Sequence, residues 1–111
     1  MKVAVTSLGS DLDSQVDPRF GRAVQFVVVD TDTGEFSAHD NSQNLNATHG
    51  AGIQSGQNVV AFGVEAVITG NVGPKAHDAL QAGGVKIYTG ATGTIKNALE
   101  QFKNNDLKLV E

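Results

Sequence analysis

The chain has 111 residues, of which 40% are hydrophobic and 18% charged, and this length and composition predict one folded domain over residues 1–111. It has no cysteine, which excludes disulfides, thiolate metal sites and cysteine nucleophiles. A net charge of −4 argues against nucleic-acid binding, no apolar run reaches the roughly 20 residues of a membrane span, and no signal-peptide pattern opens the chain. We therefore expect a cytoplasmic protein with no nucleic-acid partner and no membrane partner.

The amino-terminal part of the chain predicts three strands. The first covers residues 2–7, and the second, a mostly apolar run, covers residues 23–32. The Thr-Gly pair at 33–34 is typical of a tight turn, so we expect a third strand over residues 35–40 to form a hairpin with the second. The loop over residues 8–22 is longer than a plain connection requires, which indicates a function beyond joining two strands.

Helices and strands alternate after a polar loop at residues 41–49. The predicted elements are a helix over 50–62, a strand over 65–70, a helix over 73–84, a strand over 85–90 and a helix from about 94 to 105. Pro74 at a first helical position and Gly63 just beyond a helix end are the expected start and stop residues. The last helix has Ile95, Ala98 and Phe102 at helical spacing, as an amphipathic helix requires.

This order of elements predicts an α/β fold. Hairpins favour antiparallel pairing and the later strand-helix-strand units favour parallel pairing with right-handed crossovers. The expected sheet is mixed and five-stranded, in the order 3-2-1-4-5, with strand 2 antiparallel and three helices. The loops that follow strands 1, 3, 4 and 5 would then meet at one edge, where open α/β sheets bind ligands.

Four segments of the chain carry a resemblance to a known family. They are, in order, DSQVDPRFGRA, HGAGI, GVEAVITGNVGPKA and GVKIYTGATGTI. Together they resemble the dinitrogenase iron-molybdenum cofactor biosynthesis family, over nearly the whole chain. The resemblance implies a ribonuclease H-like three-layer fold. It also implies binding of iron–sulfur or iron–molybdenum–sulfur clusters, and this chain resembles the small stand-alone members.

The loop before the second strand holds the first candidate binding residues. Arg19 and Arg22 flank Phe20 and Gly21, and their guanidinium groups could clamp an anionic ligand. Alternatively the arginines could pair with the aspartates of the same loop, Asp11, Asp13 and Asp17, and hold it closed. We expect Phe20 to anchor the loop by burying its ring, and Gly21 to supply a backbone conformation that other residues resist.

The remaining candidates lie at two predicted helix starts. His49 precedes Gly50 and Gly52, where a helix start favours anions, and histidine is the best metal ligand left to a chain without cysteine. His49 could therefore cap one iron of a cluster, or simply be an exposed loop residue. Gly73 and Lys75 open the second helix, where Lys75 either adds a positive charge to the site or faces solvent. The predicted ligand-binding residues are Arg19, Phe20, Gly21, Arg22, His49, Gly50, Gly52, Gly73 and Lys75, with His49 as the one metal ligand.

Two functions are compatible with these residues. The first is a non-enzymatic carrier of an anionic iron–sulfur or iron–molybdenum–sulfur cluster or its precursor, bound transiently, with nitrogenase assembly proteins as partners. The second is a binding module for another small anion or a protein partner, in which residues 41–48 would close over the partner. Nucleases of the ribonuclease H-like fold hold metal ions with a carboxylate on the first strand, and residues 2–7 have none, so we expect no catalytic residues. We expect a monomer.

Overall fold

The computed structural model describes residues 1–44 and 49–111, and within them the chain forms six strands and three α-helices. The elements are β1 (Lys2–Ser7), β2 (Gln25–Asp30), β3 (Phe36–Asp40), α1 (Ala51–Ala61), β4 (Ala66–Ile68), α2 (Pro74–Ala82), β5 (Lys86–Thr89), α3 (Ile95–Lys103) and β6 (Lys108–Val110). A one-turn 3-10 helix, Ser42–Asn44, follows β3. The expectation that residues 41–48 close over a partner concerns residues 45–48 as well, which lie outside the described residues.

The strands form one mixed sheet in the order β3-β2-β1-β4-β5-β6. β1 pairs with β4, and β4 with β5, in parallel, whereas β2 is antiparallel to both of its neighbours. The predicted order 3-2-1-4-5, the antiparallel strand 2 and the three helices are therefore confirmed. The predicted count of five strands is wrong, because β6 adds an antiparallel edge strand to β5. Its three residues are mostly exposed, so no buried apolar run marks the strand in the sequence.

Helices cover both faces of the sheet. Alternate residues of β1 point to opposite faces: Ala4 packs in the cluster that includes Leu80 of α2, and Val3 packs in the cluster that includes Ile95 of α3. Val59 of α1 belongs to the same cluster as Ala4, so α1 and α2 share one face. None of the helices in the described part of the chain is long and apolar enough to cross a membrane.

The long loop between β1 and β2 is held to the body of the protein at several points. The Asp17 N–H donates to the Thr6 carbonyl at 2.9 Å, next to the end of β1. The Val16 N–H donates to the Gly93 carbonyl at 2.9 Å, ahead of α3. The Asn71 N–H donates to the Pro18 carbonyl at 2.8 Å, between β4 and α2. These contacts fix the loop at the edge of the sheet where the parallel strands end.

Candidate functional site

An open cleft of about 830 Å³ lies at this edge of the sheet, between the loop and the starts of α1 and α2. We call it the rim cleft. All nine residues predicted from the sequence line it: Arg19, Phe20, Gly21, Arg22, His49, Gly50, Gly52, Gly73 and Lys75. The other residues that line it are Pro18, Ala51, Asn71, Val72, Pro74 and Ala76. The structure thus brings the predicted residues together, although they come from three separate parts of the chain.

The two arginines are both held by other groups of the protein. The Arg19 guanidinium contacts the Asp17 carboxylate, with Nε 3.3 Å from Oδ1 and Nη2 3.4 Å from Oδ2. Arg22 Nη1 donates to the Asn44 carbonyl at 3.2 Å. Asp13 instead pairs with Lys96, at 3.3 Å. Of the two alternatives raised by the sequence, pairing within the loop therefore holds for Arg19, whose side chain is still 53% exposed and lines the cleft.

Phe20 and Gly21 hold the loop between β1 and β2 against the rest of the protein. The Phe20 ring is 1% exposed and packs against Phe26, with ring centroids 5.5 Å apart, so it anchors the loop at the base of the cleft. A Cβ on Gly21 would lie 3.1 Å from the Gly52 Cα, tighter than an ordinary contact. The loop between β1 and β2 therefore meets the start of α1 backbone to backbone, and packing favours glycine at residue 21.

Two helices begin on the cleft without a side-chain cap. Gly50 precedes α1 with φ +76°, a left-handed conformation that favours glycine. Gly73 precedes α2 in an extended conformation, and no side chain caps either helix. Because the first N–H groups of a helix have no partner within the helix, both starts offer donors and a partial positive charge to the cleft.

His49 and Lys75 lie at the mouth of the cleft, and both are exposed. Within residues 1–44 and 49–111, no three side chains of the types that ligate metals come close enough to hold a metal ion. Among the described residues that line the cleft, His49 is the one histidine and there is no aspartate or glutamate, so a metal centre there would have to bring its other ligands with it. A preformed metal–sulfur cluster does so, since sulfide bridges its metals.

The charge of the cleft is opposite to that of the chain. Arg19, Arg22 and Lys75 line it, and no aspartate or glutamate does so among the described residues. The whole chain has 8 Lys and Arg residues against 12 Asp and Glu residues. Apolar groups, including Val72 and Pro74, make up much of the remaining wall. Such a surface can donate hydrogen bonds and offer positive charge, and it suits an anion with few donor groups of its own.

Asn71 is the polar cleft residue that the sequence analysis missed. Its N–H donates to the Pro18 carbonyl at 2.8 Å, and its carbonyl accepts from the Phe20 N–H at 3.2 Å. These two bonds join the turn between β4 and α2 to the loop between β1 and β2. The sequence predicted that this turn lies at the ligand-binding edge of the sheet, and that position alone could have indicated Asn71. Nothing else in the sequence distinguishes Asn71 from an ordinary turn residue.

Comparisons with known proteins match one family profile and several similar proteins. The profile of the family described as dinitrogenase iron-molybdenum cofactor matches residues 1–105. The solved apo form of the orange protein from Desulfovibrio gigas is 41% identical, with a TM-score of 0.94 over 98% of this chain and 92% of that chain. The NMR structure of a Thermotoga protein named as a candidate NifB protein is 38% identical, with a TM-score of 0.84 over 97% of this chain and 91% of that one. An uncharacterized protein from Methanocaldococcus jannaschii is 29% identical over 114 residues, covering 100% of this chain and 97% of its own length.

Proposed function

This chain belongs to the dinitrogenase iron-molybdenum cofactor family, and from that premise we propose that it is a non-enzymatic carrier of an anionic metal–sulfur cluster. The cargo in this proposal is an iron–sulfur or iron–molybdenum–sulfur cluster, or a precursor of one. The proposal includes a cytoplasmic monomer with one domain over residues 1–111, of the ribonuclease H-like class. Nitrogenase assembly proteins would deliver or receive the cargo.

The observation that carries the proposal is the donor set of the rim cleft. Three permanent cations and two helix starts without side-chain caps surround apolar walls, and no carboxylate lines the cleft among the described residues. A metal–sulfur cluster is a bulky anion whose sulfides accept hydrogen bonds but donate none. It therefore needs the kind of surface that this cleft provides.

The absence of cysteine explains why the binding would be transient. Resident iron–sulfur clusters are held by thiolate bonds to the metal, and this chain has no thiolate to offer. A cluster held by Arg19, Arg22, Lys75 and backbone N–H groups could leave without breaking a metal–protein bond, or after breaking one bond to His49. Release of that kind is what a carrier requires.

A second candidate function rests on the two helix starts. Helix N-termini and arginines also bind phosphate groups, so the same cleft could hold a phosphorylated small molecule. The apolar walls favour the cluster, because they contribute nothing to a strongly hydrated phosphate. The two candidates differ in the ligand and share the residues, so one set of variants tests both.

The test is an anaerobic titration with isolated iron–molybdenum cofactor, in parallel with pyrophosphate. Co-elution in gel filtration with metal analysis measures the first ligand, and calorimetry measures the second. The Arg19→Ala/Arg22→Ala variant should lose roughly 100-fold or more in affinity, because two charged hydrogen-bond donors are removed. Lys86→Ala/Lys103→Ala is the matched control, since it removes the same charge from two exposed lysines, in β5 and α3, that do not line the cleft.

The outcomes separate the two functions and test the rim cleft as the site. Stoichiometric cofactor binding that the arginine variant loses and the lysine control keeps supports the carrier. Binding of pyrophosphate alone, with the same pattern, supports the second candidate. Equal losses in both variants would mean that only net charge matters and that the rim cleft is not the site. A His49→Ala protein that binds the cofactor as tightly as the parent would remove His49 from the metal ligands.

A further inference from the structure

We infer that Asp17 is a positioning residue for the rim cleft, which holds the Arg19 guanidinium in place before a ligand arrives. This inference rests on the proposed function, because it concerns how the same cleft binds an anion. Asp17 does not line the cleft, and nothing in the comparisons assigns it a role. It lies behind Arg19, and its carboxylate is fully buried.

The carboxylate accepts four hydrogen bonds from two places in the loop. Oδ1 accepts from the Arg19 N–H at 3.0 Å and from Arg19 Nε at 3.3 Å. Oδ2 accepts from Arg19 Nη2 at 3.4 Å and from the Val24 N–H at 3.1 Å. The Asp17 side chain therefore fixes the backbone at Arg19 and at Val24. It also fixes one edge of the Arg19 guanidinium.

Asp17 is itself fixed to the sheet. Its N–H donates to the Thr6 carbonyl at 2.9 Å, and its carbonyl accepts from Thr6 Oγ1 at 2.6 Å. The one proton of the Thr6 hydroxyl goes to the Asp17 carbonyl, so Thr6 Oγ1 accepts from Thr69 Oγ1 at 2.9 Å, which joins β1 to the residue after β4. The position of Arg19 is thus defined relative to the carboxyl ends of two parallel strands, and rigid elements hold a site more closely than a free loop does.

The pairing leaves part of Arg19 available to a ligand. A guanidinium has five N–H donors, and Asp17 engages only Nε and one donor of Nη2. The Arg19 side chain is 53% exposed and lines the cleft. An arginine restrained in this way has already lost its rotamer freedom on folding, so it loses little more when an anion binds.

The charge of Asp17 and its positioning of Arg19 should affect anion binding in opposite directions, which makes the inference testable. A negative charge beside Arg19 weakens the attraction for an anion, so removing that charge should strengthen binding if charge alone matters. Removing a positioning group should weaken binding. The Asp17→Asn variant therefore separates the two accounts by the sign of the change.

We expect Asp17→Asn to weaken binding of isolated iron–molybdenum cofactor, and of pyrophosphate if that is the ligand bound, by about three- to tenfold. In an Arg19→Ala background the same change should cause no loss of affinity, because Asp17 positions the Arg19 side chain and that side chain is gone. Tighter or unchanged binding in Asp17→Asn would overturn the inference, and so would an equal loss in both backgrounds. If the parent protein binds neither probe, the proposed function fails first, and the inference falls with it.

A second readout does not depend on a ligand. Nitrogen-15 relaxation of the arginine Nε–H groups should show Arg19 restrained in the parent and mobile in Asp17→Asn, with Arg22 unchanged.

Should Asp17→Asn fail to fold, Arg19→Lys serves instead, since lysine keeps the charge but lacks the planar fork that engages both carboxylate oxygens. It should lose affinity to a similar extent. An Arg19 Nε–H that stays restrained in Asp17→Asn, or full affinity in Arg19→Lys, would refute the inference.

Discussion

The helices of this protein begin in two different ways. Thr94 caps α3: its Oγ1 accepts from the Asn97 N–H at 3.1 Å, and the Asn97 side chain accepts from the Thr94 N–H at 3.0 Å. The next free donors are used as well, because the N–H groups of Ile95 and Lys96 donate to carbonyls of the loop that precedes the arginines, at 2.9 and 3.0 Å. The start of α3 is therefore closed to any ligand.

The starts of α1 and α2 show the opposite arrangement. Both helices follow a glycine, Gly50 or Gly73, neither has a side-chain cap, and both starts line the rim cleft. At Gly73, whose backbone is extended, a capping side chain would stabilise the fold by roughly a few tenths of a kcal/mol over glycine, whereas the left-handed φ of Gly50 disfavours any capping side chain. The difference indicates that stabilising contacts are made where a helix only supports the fold and are left out where its N–H groups face the cleft.

The largest expected effect comes from capping α2. In Gly73→Asp, the new carboxylate can accept from an N–H of the first turn, because the backbone is already extended and a Cβ at residue 73 meets no atom within 4 Å. We expect equal or slightly higher stability and an affinity for the cofactor or for pyrophosphate that falls by roughly 100-fold, since the carboxylate occupies the donors and repels the anion. Thermal unfolding and the anaerobic titration measure the two quantities.

Gly73→Ala is the control for this variant. It adds a methyl group but no acceptor and no charge, so affinity should stay near that of the parent. If Gly73→Asp binds as tightly as the parent, the start of α2 is not part of the binding site, and the contrast between the helix starts has no functional meaning.

Much of this contrast could be predicted from the sequence. Gly50 and Pro74 mark helix starts, and Gly63, with φ +74°, ends α1 as expected. The sheet order followed from the alternation of strands and helices, and it placed the candidate residues at one edge. β6 could not be predicted, because its three residues are stabilised by hydrogen bonds to β5 rather than by an apolar pattern of their own.

The details of the site depended on tertiary contacts. Three aspartates precede the arginines, and sequence spacing could not show which of them is buried with Arg19. The structure identifies Asp17, because the bonds to Thr6 draw its backbone against β1. The role of Gly21 was likewise predicted as a matter of backbone conformation, whereas the structure shows a close approach to Gly52, a residue more than 30 positions away — a contact of the kind that local sequence does not encode.

Removing the Thr94 cap of α3 tests the other kind of helix start. Thr94→Ala deletes the hydroxyl that accepts from the Asn97 N–H, so we expect α3 to lose about 1 kcal/mol of stability. Urea unfolding at neutral pH measures the loss. Affinity for the cleft ligands should not change, because Thr94 is absent from the residues that line the rim cleft. A loss of affinity without a loss of stability would contradict the separation of the two kinds of helix start.

The smallest expected effect concerns the Asp40 carboxylate, which binds the first residue of the one-turn helix after β3. Asp40 accepts from the Ser42 N–H and the Ser42 hydroxyl, both at 2.9 Å, and these bonds lower the pKa of Asp40 below its usual value. Because the folded pKa is lowered, the contribution of Asp40 to stability is complete above the unfolded pKa. It is lost as the pH falls through the folded pKa, below about pH 4.

Asp40→Asn tests this assignment, since asparagine keeps an acceptor for the Ser42 N–H but has no charge to lose. The parent should be slightly more stable than the variant at pH 6, and the gap in unfolding free energy should close as the pH is lowered from 6 to well below about 4. Urea unfolding midpoints across that range measure it. A gap that stays constant would mean that the capping charge is irrelevant at this helix start. Closure of the gap would show that the charge of Asp40 stabilises the turn that leads into this one-turn helix.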